Sequence, residues 1–179
     1  MAINYFKNFP VVQYGEHAVR NIILKGKIGK NLIQSYDTFY PYTIKTGESP
    51  TSLSYDYYGS VEFVWIIFLV NDIVDPYYDW PMDEEVFNQY IVNKYGSLPA
   101  AMNLSQSSYY RNPQYSYWMT STTYENIDEM DRVGWSPVDN YSYEFIKNEE
   151  KRKIKLLDRS IATDIAFEME KILKKVNRV

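Results

Sequence analysis

No cysteine occurs in the 179 residues, so disulfides, thiolate metal sites and thiol nucleophiles are excluded together. Histidine is present once, as His17 between Glu16 and Ala18, which forecloses a multi-histidine metal site or a Ser-His-Asp relay and reads as a surface or capping residue. No early segment joins a basic start to an apolar core and a small-residue cleavage site, so a secretory signal is not expected. Glycine is sparse, and Gly26 and Gly29 lack the spacing and the strand-turn-helix frame of a phosphate loop. The longest apolar run, residues 61–70, would span only about 15 Å as a helix, well short of a bilayer.

Carboxylates are present but not arranged for chemistry. Asp72 with Asp75, Asp79 with Asp83, and Asp128 with Asp131 sit where aspartate caps helices and turns, and nothing raises any pair into an acid-base dyad. Asp128-Glu129-Met130-Asp131 lacks the alternating ligands, central glycine and closing glutamate of a calcium loop. An enzyme and a resident cofactor or metal are therefore not expected.

What is abundant is tyrosine, 19 residues, with 4 tryptophans beside it. Tyrosine combines large contact area with few rotors and a hydroxyl, which favours protein interfaces; half-buried sheet and core positions are the plainer reading. Charge is uneven. Ten Lys or Arg against six Asp or Glu follow position 146, giving +4, while the remainder carries -8 to make the net -4. This suits charge-complementary docking. The basic residues are interleaved with acids and lack an aromatic partner pattern, so nucleic acid is not expected.

The spacing predicts an α+β chain. Residues 1–40 read as an arm of short extended pieces, with Tyr5, Phe6 and Phe9 before Pro10. Tyr42-Thr-Ile44 then favours a strand, Gly47 a turn, and Ser49-Pro50 a capped helix with Leu53 and Tyr57 on one face, closed at Gly59. Ser60 caps a second helix over 61–70; Ser60 before the run and Asn71-Asp72 after it favour helix over a buried strand. That helix is apolar on nearly every side and needs cover from the rest of the chain or from a partner. A short return strand is expected after Asp75-Pro76. Asp83 caps a helix to about 95, with Val86, Phe87, Tyr90, Ile91 and Tyr95 as its stripe and Gly96 as its stop.

Further on, residues 97–108 read as a linker. Residues 115–124 and 141–145 read as two strands of a hairpin, with Gly134-Trp135-Ser136-Pro137 as a turn. A long helix is predicted from about Asn148 to Lys175, with Ile154, Leu157, Ile161, Ile165, Ile172 and Val176 on its apolar face. The organisation is then an arm (1–40), a module with its following helix (41–96), a linker and hairpin region (97–146) and an amphipathic helix (147–179).

The layout from Tyr42 to Asp75 resembles a LysM-like βααβ module, which implies gripping a partner. With the aromatic start at Tyr5-Phe6 and Phe9-Pro10, the block Asp79-Trp80-Pro81 and the helix from Phe87 to Gly96, the chain resembles the small baseplate wedge subunits of T4-like contractile-tailed bacteriophages. The resemblance implies a structural virion protein of the tail baseplate, made in the host cytoplasm, joining other wedge proteins and further copies of itself, with no catalytic residues. The contact candidates are Tyr5, Phe6, Phe9, Trp65, Phe68, Trp80, Tyr90, Ile154, Leu157, Ile161 and Ile165. The alternative is a LysM-type peptidoglycan-binding module touching sugar near Tyr55, Asp72 and Ile73. The unbroken apolar text from Trp65 to Val70 weighs against it, because sugar grooves need polar contacts around their aromatics.

Overall fold

The computed structural model describes residues 9–21 and 38–176. The chain divides into two units, the first running to Trp80 and resuming at Lys153, the second comprising Pro81–Arg152. The fold is α+β, with several helices and three small antiparallel sheets among the described residues.

Unit 1 opens with a hairpin, β1 (Val11–Tyr14) against β2 (His17–Arg20), in which Val12 faces Val19 and Tyr14 faces His17. Strand β3 (Phe39–Thr43) leads to α1 (Pro50–Tyr58). Ser49 caps that helix in a reciprocal capping box with Ser52, Pro50 occupies the first turn, and Gly59 ends it at φ +77°. Ser60 caps a 3-10 turn at Val61–Phe63 that feeds α2 (Val64–Val70). The one-turn α3 (Pro76–Asp79) follows.

No strand follows Asp75-Pro76; the strand that pairs with β3 is β7 (Lys153–Leu157), antiparallel, with Tyr42 opposite Ile154 and Tyr40 opposite Leu156. The long helix predicted from Asn148 is therefore a helix end, the strand β7 and then α8 (Arg159–Val176). Ile154, Leu156 and Leu157 belong to the sheet. Ile154 and Leu156 join Ile44, Leu53, Ile67 and Trp80 in one core, while Leu157 joins Ile66 and Ala162 in another.

These two clusters show where α2 finds its cover. Ile67 faces the β3–β7 sheet, and Ile66 faces α8 with Ile161 and Ile165 beside it. A helix apolar all round is thus sandwiched within its own unit, and the first turns of α8 fold back onto it. Burying side chains of this size contributes about 1.5–3 kcal/mol each.

Unit 2 begins with α4 (Glu84–Tyr95), capped by Asp83 and closed at Gly96 as its spacing predicts. The segment read as a linker instead contains α5 (Leu98–Ala101), capped by Ser97, with Ala101 fully buried beside Phe87 and Ile91. A three-stranded antiparallel sheet follows in the order β5–β4–β6, from Tyr109–Arg111 (β4), Trp118–Thr120 (β5) and Ser136–Val138 (β6). Residues 121–124, expected to continue a strand, lie instead in α6 (Ser121–Asn126), which Thr120 caps by accepting from Thr123 N. Residues 141–145, read as a strand, lie in α7 (Asn140–Glu150), capped by Asp139.

Helix α7 explains itself through its buried polar residues. Asn140, Glu144 and Asn148 recur every fourth position and are all buried. Asn140 Nδ2 donates to Gln106 O, and its Oδ1 accepts from Ser108 N. Asn148 accepts from Met82 N at 2.8 Å and donates to Met82 O at 2.9 Å. Each amide therefore stands in for a strand's backbone and clamps a passing segment, which satisfies buried N–H and C=O groups.

Candidate functional site

Where a side chain sits decides whether it is available to a partner. Tyr5 and Phe6 lie outside the described residues, as do the side chains of Ile172 and Val176. Phe9, Trp80, Ile154 and Leu157 are buried. Trp65, Phe68, Ile161 and Ile165 are half-buried against the cores of unit 1. Tyr90 is half-buried against the core of unit 2 and donates to Glu144 Oε2 at 3.1 Å. Within the subunit, then, the described candidates divide between core and core margin.

Glu144 gathers the polar centre of unit 2. Its carboxylate accepts from Tyr90, from Tyr95 Oη at 2.9 Å and from Lys94 Nζ at 2.7 Å. Burial alone lowers a lysine's pKa; for Lys94 it is outweighed by the hydrogen bonds that its ammonium donates to Glu144 and Tyr90, so the net direction is upward. Burial, reinforced by Glu144, pushes the Tyr95 phenol up as well. Every member has a partner of fitting chemistry, which marks a structural network. Among the described residues, no group of three or more His, Asp or Glu side chains could hold a metal ion. No helix among them is long and apolar enough to cross a membrane.

Both edges of the unit 1 sheet are partly blocked. Lys155 N donates to Asn71 Oδ1 at 2.8 Å, and Asn71 Nδ2 donates to Lys155 O at 2.8 Å and to Ile67 O at 2.9 Å. Two residues along, Tyr58 Oη accepts from Leu157 N and donates to Leu157 O. Alternation in an antiparallel ladder turns Lys153, Lys155 and Leu157 to the outer edge of β7, so two of its three outward backbone pairs are occupied by side chains. The same alternation turns Pro41, opposite Lys155, to the outer edge of β3, where it has no N–H to offer. Strand addition is thereby discouraged on either side.

Among the described residues of unit 1, two clusters of exposed apolar side chains are prominent. One is the hairpin, whose eight strand residues are all exposed; Val12, Val19 and Tyr14 share one face with His17. The other is the turn between α2 and the end of α3. Ile73 N donates to Phe68 O, and Ile73 packs on the core. At the other end Trp80 is buried and its Nε1 donates to Glu48 O at 2.9 Å. Between these pins, Asp79 Oδ2 accepts from Val74 N and Asp75 N, both at 2.9 Å, and Asp75 Oδ1 accepts from Tyr77 N at 3.0 Å. Asp72 enters the turn at φ +54°. The braced loop presents Val74, Tyr77 and Tyr78 with exposures of 72%, 86% and 61%. Sequence reading passed over these three. The signal available was Asp75-Pro76 with Asp79, a cap and brace around a one-turn helix that leaves its two tyrosines outside.

The baseplate wedge protein family described as base plate wedge protein 53 matches residues 2–135 of this chain. The chain is also similar to "Baseplate wedge protein gp53" of Enterobacteria phage T4, at 25% identity over 147 residues, covering 75% of this chain and 73% of the relative.

Proposed function

The chain belongs to the base plate wedge protein 53 family and is a structural, non-catalytic component of the phage tail baseplate, and on that premise we propose that it joins neighbouring wedge subunits through its N-terminal hairpin. The observation that carries this reading is the hairpin's exposure on both faces. A two-stranded ribbon is marginal in water by itself and gains stability by laying one face on something else. The Val12–Val19 pair with Tyr14 is the face suited to that.

The order β3–α1–α2 followed by β7 supports reading unit 1 as a LysM-like βααβ module whose second strand is delayed by the insertion of unit 2. Such a module serves here as a rigid holder. A peptidoglycan role finds less support, because Trp80 Nε1 already occupies the Glu48 carbonyl in the turn after the first strand.

The test uses the full-length chain with Val12→Asp and Val19→Asp together, coexpressed with the other wedge subunits. The free variant should melt as the native chain does, since both side chains are exposed, and its recovery in wedge complexes should fall at least about ten-fold. Recovery equal to the native chain removes the hairpin from the contact. A native chain that associates with no wedge subunit removes the joining role altogether.

A further inference from the structure

The turn at residues 73–80 is a second contact point of different chemistry. We propose that Val74, Tyr77 and Tyr78 form a preorganised aromatic knob that inserts into a basic-rimmed apolar pocket on a neighbouring wedge subunit. The proposal rests on the joining role above and adds a site and a partner chemistry to it.

Three observations converge on it. The first is exposure without looseness. The knob is pinned by Ile73 and Trp80 in the core and crossbraced by Asp75 and Asp79, so its side chains are presented at little further backbone entropy cost. Two adjacent exposed tyrosines held this way bring much contact area on few rotors, the combination found at hot spots. The second is charge. Asp72, Asp75 and Asp79 lie in the same loop as the knob, and no Lys or Arg lies between Asn71 and Trp80 in the sequence. An apolar centre inside an anionic rim is complementary to an apolar pocket with a cationic rim, which also steers encounter.

The third observation bears on which molecule supplies that pocket. A second copy of this chain is a poor source, because most of its described basic side chains are already engaged. Lys94, Lys147, Arg152 and Lys171 pair with glutamates. Arg111, Arg132 and Arg159 lie over the rings of Trp118, Tyr124 and Tyr57. This favours a different wedge protein as the occupant, and knob-dependent binding to a second copy of the chain overturns it. Strand addition is disfavoured here, since Asn71 and Tyr58 occupy the outward groups of Lys155 and Leu157 on β7.

The experiment immobilises the full-length chain and measures binding of each other purified wedge subunit of the same phage. Tyr77→Ala should weaken one of these interactions at least ~10-fold and leave the melting temperature unchanged, and adding Tyr78→Ala should deepen the loss to at least ~30-fold. Val74→Asp is a second variant at the same surface and should do the same. Asp72→Asn, which keeps a residue tolerant of positive φ, should slow association several-fold at low salt, with the difference fading at high salt. Binding of every subunit that ignores Tyr77, Tyr78 and Val74 overturns the knob and leaves the joining role standing. So does loss of self-association, or of retention on peptidoglycan sacculi, as the effect of the tyrosine changes. A native chain that binds no wedge subunit overturns the joining role first and the knob with it.

Discussion

Asn71 is the residue on which unit 1 is most economically tested. Its side chain makes three hydrogen bonds, two to Lys155 of β7 and one to Ile67 O at the end of α2. Asn71→Ala removes all three. At about 0.5–1.5 kcal/mol net per bond, with water reaching a half-exposed site, the loss should be about 1–2 kcal/mol. Asn71→Asp is nearly the same shape but places a carboxylate oxygen where the amide donated. It keeps the bond from Lys155 N and sets a negative charge against the Ile67 and Lys155 carbonyls. The cost should rise to about 2–3 kcal/mol, since two donors are lost and repulsion is added. Urea unfolding followed by far-ultraviolet circular dichroism reads both. For a chain of this size each kcal/mol also lowers the melting temperature by roughly 2–4 °C. The order native, Ala, Asp is the sharp part. Asn71→Asp as stable as Asn71→Ala, or more so, would refute the account of the amide as a two-way clamp.

The remaining predictions concern titration and backbone strain. Burial, with help from Glu48, pushes Tyr42 up to about 12, and burial, with help from Tyr109, does the same to Tyr143. A raised folded pKa holds a proton that the unfolded chain releases near pH 10, so this contribution is complete below about pH 10 and is lost as pH climbs toward about 12. Phenolate absorbance should therefore show a late fraction that ionises together with loss of ellipticity. All tyrosines titrating near pH 10 in a still-native chain would contradict it. In unit 2, Gly134 has φ +83°, and a Cβ there would stand 2.8 Å from Asn112 Nδ2, a buried side chain that accepts from Gln114 N. Gly134→Ala should cost about 1–3 kcal/mol and loosen Trp135, whose ring stacks on Tyr115. Unchanged melting and tryptophan emission would count against that.

Helix ends were plain in the text, because capping is local chemistry: Ser49-Pro50 with Gly59, and Asp83 with Gly96, placed α1 and α4 without tertiary help. The C-terminal third was misread for two physical reasons. Ile154, Leu157, Ile161 and Ile165 fall at helical spacing across a boundary between strand and helix. The alternation of exposed Lys153 and Lys155 with buried Ile154 and Leu156 is only five residues long, and the Asp158 cap marks the break. Helix α7 hid for the opposite reason. Its buried stripe is Asn140, Glu144 and Asn148, so apolar periodicity cannot reveal it, while Tyr141 and Tyr143 mimic strand alternation. Exposure of Tyr77 and Tyr78 was not legible because nothing in a tyrosine's identity says whether the fold will cover it.

The partly blocked edges of the unit 1 sheet limit how this subunit can join others. An open two-stranded sheet would ordinarily invite a third strand, with affinity drawn from backbone hydrogen bonds and little dependence on side-chain identity. Here Tyr58 and Asn71 occupy the outward groups of Leu157 and Lys155 on β7, and Pro41 removes a donor from β3. Joining is thereby biased toward side chains, which makes it selective for partner shape and charge. It also keeps copies of the chain from templating on one another before assembly. Asn71→Ala tests this second consequence in the same sample used for stability. Freed Lys155 N–H and C=O groups should raise concentration-dependent self-association below the unfolding midpoint, while Lys153 and Lys155 still oppose it by charge. Adding Lys155→Thr, which removes one of those charges from the edge, should increase the effect. Self-association that is absent from both variants would show that charge and Pro41 suffice, and that the side-chain clamps matter for stability alone.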